Sequence, residues 1–284
     1  MPLQPDRLLT HRFGEISQSY SPRDAILYAL GVGLGQNPCD REDLGYLLET
    51  NLRILPTFAV TLASPGMWAA APEFGVDFAK LVHYEQAAWF HAPLPPAADV
   101  VARARVVSLT DRGAGRGAVL VLEREIFDAA GEAHYCTLQQ TLLLRGDGGF
   151  GGRPPAHTPS LIPDREPDQL AAISSSPRAA LIYRLSGDRN PLHADPEFAR
   201  RAGFERPILH GLASYAMAAV AVARARGRSP DGVRALQCGF AGVVFPGDVI
   251  DFRIWNDGAR SMFQAFVGDR KVLDQGLVAF EGDQ

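Results

Sequence analysis

Between Leu212 and Ala225 the chain reads Leu-Ala-Ser-Tyr-Ala-Met-Ala-Ala-Val-Ala-Val-Ala-Arg-Ala, alanine-rich and largely apolar. A helix this apolar is stable in water only when other elements cover it. It is too short to cross a bilayer, which takes roughly 20 apolar residues. The residues C-terminal to it can supply the cover. Strand patterns lie near Arg234–Phe240, Val249–Trp255, Ser261–Val267 and Val272–Phe280, and Asn256-Asp257-Gly258 and Gly268-Asp269-Arg270 give hairpin signals between the last three. A buried helix followed by an antiparallel sheet is an α+β arrangement.

The first half repeats the order with a weaker helix. Ser21 caps a helix start, Pro22 takes its first position and Asp24 its first turn, ahead of Ala25-Ile26-Leu27-Tyr28-Ala29-Leu30. Gly31, Gly33 and Gly35 weaken it beyond that point, and Pro56 breaks the apolar stretch Leu52–Leu62. Val100–Leu109, Ala118–Phe127 and Tyr135–Leu144 read as three long strands. The run from Gly146 to Pro155, with Pro159, Pro163 and Pro167 beyond it, is the best linker candidate. The expected division is residues 1–147, a linker 148–168, and residues 169–284. The glycine run suits a phosphate poorly, because no βα unit surrounds it and no Lys-Ser/Thr follows it.

Bulk properties narrow the partners. A net charge of -4 gives no electrostatic reason to expect a nucleic acid or an anionic membrane. The three cysteines are scattered, without a disulfide framework or CxxC site. No signal peptide or membrane-length apolar run is present, so the expected setting is the cytoplasm. No metal is expected, since His83, His91 and His134 lack a ligand spacing.

Tyr183-Arg184-Leu185-Ser186-Gly187-Asp188-Arg189-Asn190-Pro191-Leu192-His193 stands apart. It follows a short helix over Pro177–Leu185 and precedes a helical turn, Pro196–Ala202, capped by Asp195 and stopped by Gly203. Gly187 and Pro191 keep Asp188 and His193 on an irregular loop. A carboxylate and an imidazole there can converge on one water, as hydration of an activated double bond requires. The alternative is a turn-and-cap sequence beside a structural histidine.

Tyr-x-Leu-Ser-Gly-Asp-x-Asn-Pro-Leu-His, continued by Ala-Asp-Pro-Glu-Phe-Ala-x-x-Ala-Gly-Phe-x-x-Pro-Ile-Leu-His-Gly-Leu to Leu212, resembles the hydratase 2 signature of the MaoC-like family. Leu55-Pro56-Thr57-Phe58, Phe78 to Gln86, Pro93-Leu94-Pro95 and Gly148 to Gly152 resemble the first half of the same unit, which also occurs within the peroxisomal multifunctional enzyme type 2. The resemblance implies a double hot-dog fold with a degenerate N-terminal repeat that leaves room for bulky acyl chains. It implies reversible hydration of trans-2-enoyl-CoA to (3R)-3-hydroxyacyl-CoA, without a cofactor beyond the coenzyme A of the substrate, and a homodimer. By resemblance His193 and Asp188 are the catalytic pair, and Gly211 gives the oxyanion-hole N–H at the long helix's start. Asn190 supports the loop or simply shapes its turn, and Glu85 positions or shapes the substrate. Tyr84 stands where relatives often have glycine. His83 and His210 are read as structural. A hot-dog thioesterase and a non-catalytic acyl-CoA-binding subunit are the rival readings.

Overall fold

The computed structural model describes residues 2–152 and 159–281. The first repeat carries α1 (Pro5–Thr10), β1 (Ile16–Tyr20), α2 (Pro22–Gly31), α3 (Arg41–Leu44), β2 (Leu81–Phe90), β3 (Ala98–Asp111), β4 (Ala118–Asp128) and β5 (His134–Leu144). The second carries β6 (Gln169–Ser174), α4 (Ala179–Tyr183), α5 (Pro196–Arg201), α6 (Gly211–Ala225), β7 (Val233–Phe240), β8 (Val249–Asp257), β9 (Arg260–Val267) and β10 (Arg270–Phe280). All ten strands form one antiparallel sheet in the order β1-β3-β4-β5-β2-β7-β10-β9-β8-β6. The order is a palindrome of the two repeats, joined where β2 pairs with β7.

The apolar stretch from Leu212 to Ala225 forms α6 together with Gly211, and every residue from Ala213 to Ala223 is buried. Its alanines let the backbone lie close to the sheet. Tyr215 fills the remaining space, and its hydroxyl donates to the Leu236 carbonyl at 2.8 Å, so the buried phenol is satisfied. Leu236, Cys238, Ile250, Phe252, Ile254 and Phe263 on the facing strands are fully buried. The hairpins turn at Gly258 and Gly268, both at positive φ. The expected helix at Ser21 also forms, with its capping box to Asp24.

The first repeat has no such helix against its sheet. Short 3₁₀ turns at Pro56–Thr61, Trp68–Ala70, Pro72–Phe74 and Phe78–Lys80, together with α1, cover the strands instead. The inner face divides into two apolar clusters. One holds Phe58, Val60, Ile126 and Leu138 and runs on into the α6 core. The other holds Leu8, Phe74, Leu120, Leu122 and Leu142.

Strand β2 is not evident in the sequence pattern. Gln86, Ala87 and Ala88 are buried in succession, so the strand lacks period-2 patterning, and its register against β5 shifts between His83 and Glu85. Tyr84 is the extra residue of that bulge and is half exposed. Of the linker stretch, residues 153–158 lie outside the described residues. Its start is packed: the Asp111 carboxylate accepts the N–H groups of Gly113, Gly149 and Gly151 at 2.7, 2.8 and 2.5 Å. These bonds hold the Asp111 carboxyl below its ordinary range. The glycine run is thus an anion cradle already filled by a carboxylate of this chain.

Candidate active site

The polypeptide leaves α4 through a 3₁₀ turn, Arg184–Ser186, and Gly187 then takes φ 122°, which L side chains rarely adopt. Two successive side-chain bonds shape the loop beyond Gly187. Asp188 Oδ1 accepts the Asn190 N–H at 3.1 Å, and Asn190 Oδ1 accepts the Leu192 N–H at 3.0 Å. Asn190 therefore caps the turn Pro191–His193, which is the turn-shaping role.

His193 is buried beneath the turn. Its Nδ1–H donates to the Ile208 carbonyl at 2.9 Å, which leaves Nε2 as the lone-pair nitrogen. Burial holds this imidazole below its ordinary pKa, while the Ile208 bond and Asp188 pull the other way. A neutral His193 is suited to accept a proton.

His210, read from sequence as structural, stacks on His193 with centroids 3.7 Å apart and planes 23° from parallel. Its Nε2–H donates to the Asp188 carbonyl at 3.2 Å, and its buried Nδ1 has no partner among the described residues. Burial first, and then His193, push its pKa down to about 4. A functional atom from each of Asp188, His193 and His210 lies within 4.8 Å of the others. Two histidines and a carboxylate can hold a metal, but lone pairs in nearly parallel, stacked rings do not converge on one ion. The arrangement suits proton transfer better.

The remaining walls come from distant elements. His83 on β2 lies against Phe240 of β7 at 4.9 Å between ring centroids, close enough to feel the Asp188 charge. Its burial pushes it down to about 4. Tyr183 lies 4.8 Å from the His210 ring, and its buried hydroxyl has no partner among the described residues. Gly211 follows His210 as the first residue of α6, where a backbone N–H has no intrahelical acceptor. It is exposed, and a Cβ there would come 3.1 Å from the Phe240 ring. The helix dipole places partial positive charge at this N–H.

Glu85 stands apart from this group. It points to the face opposite the core-facing Gln86 and Cys238, where Gln237 Nε2 donates to its Oε1 at 3.3 Å. Burial raises its pKa. His83 thus feels the Asp188 charge, while the described side-chain partner of Glu85 is Gln237. His91 and His134 meet elsewhere, with ring centroids 4.4 Å apart.

His83 and His210 give a pH signature. Each binds its proton less readily folded than unfolded, so stability is lost as pH falls from about 6.5 towards about 4. For His83 the loss is on the order of 3 kcal/mol. The melting temperature is expected to fall over that window, and less steeply in His83→Gln. An equal decline in the variant would contradict the assignment.

Two antiparallel repeats, one wrapped round a long helix with the Asp188–His193 loop at that helix's start, define a double hot-dog protein. Two family models match successive parts of the chain. Residues 18–146 match the MFE-2 hydratase 2 N-terminal domain, and residues 159–275 match the MaoC like domain. The peroxisomal enoyl-CoA hydratase 2 of Arabidopsis thaliana is 35% identical over 98% of this chain and 95% of its own. The enoyl-CoA hydratase ChsH3 of Mycobacterium tuberculosis is 36% identical over 92% of both. The crystal structure of a MaoC-like dehydratase from Phytophthora capsici superposes with a TM-score of 0.85 at 28% identity, covering 99% of each chain. The chain belongs to the hydratase 2 branch of the MaoC-like family.

Proposed function

We propose that the protein is a hydro-lyase that adds water reversibly to trans-2-enoyl-CoA and gives (3R)-3-hydroxyacyl-CoA. The observation that carries this reading is the grouping of the Asp188 carboxylate and the His193 imidazole beside the start of α6. The pair holds a water and takes one of its protons as the oxygen bonds to the β-carbon. Charge then gathers on the thioester oxygen, where the exposed Gly211 N–H and the helix dipole stabilise it. The proton returns from the pair to the α-carbon, so the balance is one water added and no net proton. Coenzyme A takes part only as the thioester of the substrate.

Purified protein with crotonyl-CoA tests this directly. The expected result is loss of the conjugated enoyl absorbance, with product oxidised by a (3R)-specific and not a (3S)-specific dehydrogenase. Release of free thiol without hydration would replace the reading by a thioesterase, and no turnover by the chain alone would favour a non-catalytic subunit.

A further inference from the structure

Arg124 is a cation on the wrong side of a sheet. Strand β4 sends Leu120, Leu122, Arg124 and Ile126 to the inner face, and all four are buried. Opposite Arg124 stand Ala104 of β3 and Leu138 of β5, both apolar. The acidic neighbours do not help. Glu123 lies on the other face, engaged by Arg105 and Gln139. Cys136 is close, but burial pushes its thiol up to about 12, so it carries no negative charge.

A guanidinium offers five N–H donors. Here Nη2 donates to the Val60 carbonyl at 2.8 Å, and the buried Nε has no acceptor among the described residues. Leaving a buried cation without an anion costs several kcal/mol, so such a group is normally paired. Apolar side chains of similar volume would fill the space without that cost.

Its location suggests what completes the pair. Arg124 sits on the seam between the two apolar clusters of the first repeat, Ile126 and Leu138 on one side and Leu122 on the other. The 3₁₀ turn Pro56–Thr61 reaches it through the Val60 carbonyl, whereas α6 covers the equivalent face of the second repeat. Arg124 is level with Leu138 and thereby with Ala88. From His83, which marks the catalytic loop, Ala88 is roughly 17 Å along β2, and β4 lies two strand spacings of roughly 4.8 Å to the side. That is out of reach of a short acyl group and within reach of a long one.

We propose that Arg124 is a specificity residue that binds an anionic group, a carboxylate, on the end of the acyl chain remote from the thioester. The substrate class is then an ω-carboxylated enoyl-CoA, with the fork of the guanidinium matching the two carboxylate oxygens. The inference rests on the acyl-CoA reading above.

The test compares methyl-ended and ω-carboxylated trans-2-enoyl-CoAs of equal length, over a series of lengths, in the wild type and in Arg124→Met. In the wild type the ratio of kcat/KM, carboxylated over methyl-ended, is expected to exceed one at the lengths that reach Arg124. In Arg124→Met that ratio is expected to fall about tenfold or more. A wild-type ratio below one at every length overturns the proposal, as does a preference that survives in Arg124→Met. Thermal melting checks folding. If Arg124→Met does not fold, Arg124→Gln keeps hydrogen-bond donors without the charge, and an unchanged ratio there is equally adverse. Wild-type hydration of crotonyl-CoA separates the two readings. Its absence counts against the reaction itself, and its presence without a carboxylate preference counts against Arg124 alone.

Discussion

Asp188→Asn is expected to lower kcat for crotonyl-CoA by about 10²- to 10⁴-fold, with little change in KM. The substitution keeps the shape of the side chain and an oxygen to accept the Asn190 N–H, so the turn survives. It removes the group that exchanges a proton with water, and proton transfer by a positioned side chain is worth about that factor. In free energy this is roughly 3–5 kcal/mol of transition-state stabilisation. His193→Ala should show a loss of the same order, and the double variant should lose little more than either single one, because the two act as a unit. The measurement is steady-state hydration with a melting curve for each variant. Turnover within a few-fold of wild type in Asp188→Asn would remove the loop from the mechanism.

Asp43→Ala is expected to cost about 1–3 kcal/mol of stability while leaving turnover by the folded protein unchanged. Asp43 is 4% exposed and forms an ion pair with Arg224 in the last turn of α6, and its Oδ2 accepts the Gly35 N–H at 2.8 Å. Removing Asp43 strands the Gly35 N–H, while Arg224, whose side chain is 32% exposed, passes to water, so the loss stays below that of a fully buried pair. Domains of ordinary stability hold only about 5–15 kcal/mol in total. The urea midpoint should therefore drop sharply in Asp43→Ala. The combination of Asp43→Leu with Arg224→Met should recover most of the loss, since an apolar pair needs no compensation. A midpoint unmoved in the single variant would show that the pair contributes nothing.

What could be read from the residues divides by sequence distance. The shape of the Asp188–His193 loop was legible because Gly187, Asp188, Asn190, Pro191 and His193 act on one another within a single turn. Helix α6 was legible because a segment apolar on every side has few ways to exist in water. The walls were not. His83 becomes part of the site only when β2 pairs with β7, and His210 only when α6 sets it beneath the loop. Each alone is an ordinary histidine among apolar neighbours. The resemblance pointed to Glu85, and the bulge at Tyr84, which sets His83 and Glu85 on opposite faces of β2, is not legible in the residues. Asp111 and the glycine run show the same limit. Nothing local says that the acceptor for those N–H groups lies on the strand end near residue 111.

The pairing of β2 with β7 has a mechanical consequence. A ladder of backbone hydrogen bonds crosses the junction of the repeats, so they cannot swing apart as two jaws without tearing the middle of the sheet. On the reading proposed above, admission of an acyl chain falls to the pieces laid over the first repeat, the turns from Pro56 to Lys80 and α1. Those pieces are held by side-chain packing and a few single hydrogen bonds, and can yield one at a time. The protein is better pictured as a rigid trough with a patched cover than as a hinged clamp. Changes of substrate length should therefore arise from substitutions in the cover, with the trough left intact.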